Sequence, residues 1–170
     1  MHLHLNIEFD VIACISSYAV MNSNPSSTVI RAWARLAKAQ QLAADAIEQR
    51  LKAANLPPLA WYDALLELER AGPAGLRPFE LEREMLLSQC NLSRLIDRLE
   101  KEDYVERRAC QDDGRGQVIA ITAAGRAIRR RMWAVYGPAI QSVIGVHLSS
   151  GQAAALDTAL GTVISGVRPA

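Results

Sequence analysis

The sequence predicts a mainly α fold, a winged helix-turn-helix with a small β-hairpin wing, flanked by N- and C-terminal dimerisation helices. Three observations predict it. Leu92, Leu95, Ile96 and Leu99 recur at i, i+3, i+4 and i+7, one face of a helix. After Glu102-Asp103 the period changes from 3.6 to 2, giving two short strands over 104–108 and 117–121 around the turn-forming Asp112-Asp113-Gly114-Arg115-Gly116. On either side lie long segments whose apolar stripes have no internal partner of sufficient size.

Taken in order, residues 1–25 form a leader unlike the rest. Residues 11–20 are apolar and β-branched, but Glu8 and Asp10 precede them where a secretory signal would carry positive charge. The polar run after Met21 reads as the opening of the protein, so Met21 is the expected start, the alternative being a real extension that adds to the dimer interface. His2 and His4 are two histidines in a tail, too few for a metal site. Residues 26–55 form the first dimerisation helix, capped by Ser26 or Ser27, with Ile30, Trp33, Ala34, Ala37, Ala44, Ile47 and Leu51 on one stripe. Leu56-Pro57-Pro58 stops it.

Residues 56–122 hold the winged helix-turn-helix lobe. Pro58 opens a helix that carries Trp61, Leu65, Leu66 and Leu68 and ends before Gly72-Pro73. A second, over 79–85, turns inward Leu81 and Met85, and Ser88 then caps the recognition helix. Residues 123–168 supply the C-terminal dimerisation helices. Thr122 caps the first, a kink or break is expected at Gly137-Pro138, and Ser149 with Gln152 forms a capping box for the last.

Composition narrows the function classes. The chain has 170 residues, half of them hydrophobic, and only 5% aromatic, which argues against a surface of stacking platforms for single strands. Net charge is +1, but residues 107–131 hold seven arginines against two aspartates. Cys14, Cys90 and Cys110 show no metal-ligand spacing, and without a secretory signal reduced thiols in a cytoplasm are expected. No apolar run approaches the ~18 residues of a membrane span. No nucleophile lies beside a base and no glycine loop cradles a phosphate, so an enzyme, a metal or a cofactor is not expected.

The run SRLIDRLEKEDYVERR, then DDGR, then VIAITAAGR, resembles the core signature of the MarR (multiple antibiotic resistance regulator) family, with weaker similarity over residues 26–167. The resemblance implies a homodimeric transcriptional regulator, a repressor acting on a double-stranded, pseudo-palindromic DNA operator and released by a small aromatic or phenolic ligand. The expected DNA contacts are Ser93 and Arg94, with Gln89, Asn91 and Arg98 behind them on the recognition helix. Arg98 has an alternative, pairing with Asp97 or Glu102. At the wing, the family pattern carries over at Asp113 and Arg115, with Arg115 in the minor groove and Asp113 orienting it, and Arg107 and Arg108 match the basic pair at the wing base. Trp33, Trp61, Tyr62 and Trp133 are candidates to line a ligand cleft, each with ordinary core packing as its alternative. Gln89-Cys90-Asn91 departs from the commonest recognition-helix start, which leaves the operator sequence open. Two other readings stand beside this one: a winged-helix protein-interaction module that does not bind DNA, and a redox sensor acting through Cys90 or Cys110. Arg94, Asp113 and Arg115 favour DNA, since an adaptor has no need of an arginine at a glycine-rich wing tip.

Overall fold

The computed structural model describes residues 24–85, 87–109 and 116–167. Among the described residues six helices and one hairpin follow in the order α1 (Ser27–Ala53), α2 (Leu59–Ala71), α3 (Pro78–Met85), α4 (Gln89–Lys101), β1 (Val105–Ala109), β2 (Gln117–Ile121), α5 (Ala123–Val143) and α6 (Ser150–Val167). Single 3₁₀ turns at Gly72–Ala74 and Gly145–His147 follow α2 and α5. The chain divides into two units, residues 1–40 and 41–170.

In the first unit the described residues open α1. Ser26 caps it, its Oγ accepting from Val29 N at 3.3 Å. Val29, Ile30 and Trp33 on this stretch are exposed, Trp33 by 69%.

The second unit holds the core. Ile47 and Leu51 of α1, Leu65 and Leu68 of α2, Leu81 of α3, the four stripe residues of α4, Val105, Ile119 and Ile121 of the hairpin, and Ile128 and Met132 of α5 are all buried. The α4 stripe is the one its spacing predicts. Both α1 and α4 end in the same way. Leu56 N donates to Leu51 O and Asn55 N to Lys52 O, while Tyr104 N donates to Leu99 O and Asp103 N to Glu100 O. Asn55 and Asp103 take the left-handed conformation this termination requires, at φ 53° and 59°. The turn after Asp103 delivers the chain directly into β1.

The hairpin is antiparallel, with Val105 opposite Ile121 and Arg107 opposite Ile119. A further pairing extends it: Leu76 N donates to Ile119 O at 3.0 Å and Ile119 N to Leu76 O at 2.8 Å. A single paired residue has no period, so nothing in the sequence marks this pairing. Gly75 makes the approach possible. Its φ is +70°, and a Cβ there would stand 2.4 Å from Ile119 O. The TAAG run is also a packing device. Thr122 Oγ1 accepts from Gly125 N at 3.0 Å and donates to Asp103 O at 2.6 Å, and a Cβ on Gly125 would meet Tyr104 O at 2.1 Å. It fastens the start of α5 to the turn that closes α4.

Three local expectations need correction. Pro58 is the N-cap of α2 and not its first residue, and Leu59 N donates to Glu48 Oε1 at 2.8 Å. Ser88 occupies the N-cap position of α4 in extended conformation, but its side chain makes no cap hydrogen bond. No break occurs at Gly137-Pro138, since α5 runs through Pro138 to Val143. Proline removes one backbone donor there, and the apolar face continued by Ala139, buried beyond it, holds the helix together. The predicted capping box of α6 is present, Gln152 N donating to Ser149 Oγ at 3.3 Å and Ser149 N to Gln152 Oε1 at 2.9 Å. All but one of the residues of α6 are exposed, including Leu156, Val163, Ile164 and Val167. Among the described residues no helix is long and apolar enough to cross a membrane.

Candidate nucleic-acid interface

Burying Leu92, Leu95, Ile96 and Leu99 orients the rest of α4 outward. Gln89, Cys90, Asn91, Ser93, Arg94, Asp97, Arg98 and Lys101 are all exposed. The side chains of Gln89, Asn91, Ser93, Arg94 and Arg98 make no hydrogen bond or ion pair among the described residues. Arg98 therefore does not take up the surface pairing offered by Asp97 or Glu102. A guanidinium fork held by an apolar seam and left without a partner can donate to base edges or to phosphate oxygens.

The wing base behaves differently. Arg107 stands on the β1 face shared with buried Val105, and its guanidinium spans two carboxylates of α4. Nη2 lies 2.5 Å from Asp97 Oδ1, and Nη1 donates to Glu100 Oε2. Arg108 points the other way, its Nε and Nη2 on Glu106 and Nη1 donating to Pro73 O at 3.3 Å. Asp113 and Arg115, the wing-tip pair, lie outside the described residues, as do Cys14 and Cys110. Of the other arginines in the basic stretch, Arg129 is turned inward. Its Nε faces Glu69 Oε2, although not aligned for a hydrogen bond, and Nη1 reaches Tyr62 Oη at 3.4 Å. Arg126, Arg130 and Arg131 carry no ion pair among the described residues.

The four aromatic candidates for a ligand cleft fall into separate places. Trp33 lies in the first unit. Trp61 packs edge-on against Tyr104, 6.0 Å between centroids. Tyr62 and Trp133 do come together, stacked at 6.1 Å with 22° between planes, and Tyr136 closes the group edge-on at 5.0 Å from Tyr62. Sequence reasoning missed Tyr136 and Arg129. Their spacing with Trp133 (i, i+4, i+7) puts all three on one face of α5, a signal that was available. A groove of about 380 Å³ lies among Asp45, Glu48, Gln49, Lys52, Leu56 and Pro58, and a smaller one of about 160 Å³ includes Arg108 and Arg126. Neither contains Trp61, Tyr62 or Trp133.

Beside the aromatic group, burial pushes the Asp63 carboxyl above its ordinary range, reinforced by the negative charges of Glu67 and then Glu48. Burial likewise raises the Tyr136 phenol, with Asp63 and then Tyr62 adding to it.

This geometry, a recognition-type helix followed by a hairpin, matches known proteins. Residues 54–116 match the model of the MarR family. The fold is similar to that of Sco3205, a MarR family transcriptional regulator from Streptomyces coelicolor solved in complex with DNA. Identity is 26% over 87% of this chain and 94% of that one, with a TM-score of 0.77. A MarR mutant from E. coli complexed with operator DNA is similar at 23% identity, covering 83% and 99% of the two chains, with a TM-score of 0.70. Bordetella bronchiseptica BpsR, whose DNA binding is regulated by 6-hydroxynicotinic acid, is similar at 20% identity over 78% and 98%, with a TM-score of 0.69. Among curated proteins no sequence matches this chain. Residues 54–116 thus carry a MarR-family match, and the chain has the fold of MarR-family winged-helix transcriptional regulators.

Proposed function

We propose that this protein is a homodimeric, DNA-binding transcriptional repressor, acting in the cytoplasm on a pseudo-palindromic operator and released by a small aromatic acid; it is not an enzyme. The observation that carries the reading is the outer face of α4. Arg94 and Arg98 stand exposed and unpaired there, with Ser93, Asn91 and Gln89 beside them, on a helix fixed by a fully apolar seam. Asp113 and Arg115 join them at the wing tip by resemblance to the family.

Homodimerisation is supported by the exposed apolar side chains of Val29, Ile30 and Trp33 in α1 and of Leu156, Val163, Ile164 and Val167 in α6. An aromatic-acid effector is supported by the likeness to BpsR and by the Tyr62–Trp133–Tyr136 group, where stacking area and the Arg129 guanidinium lie together. The ligand weakens DNA binding only in so far as it prefers the dimer whose recognition helices are wrongly spaced.

The test is selection of duplexes from a random library by the full chain, followed by titration. Enrichment of an inverted repeat, bound by two chains and released by aromatic acids, is the expected result. Failure to enrich any sequence would remove the repressor reading. Enrichment without release by an aromatic-acid panel would remove only the effector.

A further inference from the structure

From sequence the basic pair at the wing base is expected to contact DNA, but its first member is fully engaged within the lobe. We infer that Arg107 is a positioning residue that braces the hairpin against the recognition helix, so that α4 and the wing meet DNA as one rigid unit.

Three observations support the brace. Alternation along β1 puts Arg107 on the same face as buried Val105, the face that packs on the lobe, whereas Glu106 and Arg108 point out. Its two terminal nitrogens are divided between Asp97 and Glu100, three residues apart and thus neighbours on the same side of α4. Only 29% of the Arg107 side chain is exposed. A planar fork satisfying two carboxylates fixes both distance and angle between the strand and the helix, as the single point charge of lysine does not. The carboxylates in turn make sense only in this role. Asp97 and Glu100 put negative charge on the element that faces a polyanion, which opposes binding unless an intramolecular cation neutralises them.

The inference rests on the DNA-binding reading, and the experiment separates the two. The full chain is titrated with its library-selected duplex across a salt series. The variants are Asp97→Asn with Glu100→Gln, Arg107→Lys and Arg107→Gln. In parallel, amide hydrogen exchange over residues 105–109 is followed without DNA.

The double carboxylate variant should bind about tenfold more weakly although it removes two negative charges, because brace and charge effects have opposite signs here. Arg107→Lys should lose about as much with an unchanged salt slope, since the charge remains and the fork is gone. Exchange over 105–109 should quicken in all three variants. Tighter or unchanged binding by the carboxylate variant would overturn the brace. So would wild-type affinity for Arg107→Lys together with a salt slope reduced by about one in Arg107→Gln, the signature of a phosphate contact. If the wild-type chain binds no duplex, the DNA reading fails, and unchanged exchange over 105–109 is then what would overturn the brace.

Discussion

At the scale of single residues, a side chain's surroundings decide its role more than its charge does. Arg94, Arg107 and Arg129 are the same residue in three settings: exposed and unpaired, shared between two carboxylates, and turned inward against Glu69 and Tyr62. Arg94→Ala should cost roughly 1–3 kcal/mol of DNA affinity per half-site and relax preference at one or two base pairs, measured by titration on operator and scrambled duplexes. Arg115→Ala should instead weaken binding to many sequences and flatten the salt dependence, if Arg115 enters the minor groove as the family resemblance implies, because an arginine there reads width and potential. Asp113→Ala should be a milder version of the same change. Cys90 is exposed at the second position of α4, on the face proposed to meet DNA. In a chain with Cys14 and Cys110 replaced by serine, alkylation by a maleimide should therefore abolish binding by bulk alone, and adding Cys90→Ser should make it immune. Asp63 gives a prediction with a definite sign. Its folded carboxyl titrates above the ordinary value of 3.8, so the folded state holds the proton more tightly and stability falls as pH rises through that interval. Asp63→Asn should raise the melting temperature at neutral pH, an advantage that disappears below pH 3.8, where both states are protonated.

At the scale of elements, the parts legible in sequence are those with a period or a short-range hydrogen bond. The α4 stripe, the strand β2 and the Ser149–Gln152 capping box follow from residues at most a few positions apart. The Leu76–Ile119 pairing was not legible, because its partners are far apart and one residue has no alternation to detect. Nor was the passage of α5 through Pro138, where tertiary packing outweighs a local breaker. The partner of Arg107 was illegible for a third reason: a basic pair in sequence does not say which of its members faces inward. Gly75 marks where the unseen pairing makes its own demand. Gly75→Ala combines a positive φ with a Cβ aimed at Ile119 O, so it should destabilise the lobe by about 1–3 kcal/mol from backbone strain, and more from the clash. Urea unfolding measures the loss. Gly72, also at φ +70° but with open space around it, serves as the comparison, where Gly72→Ala carries the strain alone.

At the scale of the whole molecule, what remains unexplained within one chain is its apolar surface. Val29, Ile30 and Trp33 in one unit and Leu156, Val163, Ile164 and Val167 in the other are exposed, and burial of such side chains is worth about 1.5–3 kcal/mol each. The capping box of α6 fixes where that helix starts, yet nothing in the helix is buried, so its stripe is organised for something outside this chain. A second copy satisfies the requirement symmetrically, because a two-fold axis matches each patch with its own equivalent. The melting temperature should then rise with protein concentration, as it does when folding and association are linked. Ending the chain before Ser150 should give a monomer by light scattering that keeps the buried α4 seam but loses operator affinity, since one half-site alone forfeits the effective concentration of the other. Starting at Met21 should leave both properties intact. In the proposed dimer the same two-fold axis would also set the operator. Paired recognition helices reach successive major grooves on one side of the duplex, so the half-sites should lie about 10 bp apart, centre to centre. Inserting five base pairs between them should turn one half-site to the opposite side and remove most of the affinity, whereas inserting a full turn leaves the face unchanged but exceeds the span of a rigid dimer. Equal binding to all three spacings would mean that each chain binds alone, and the apolar stripes would then need a different partner.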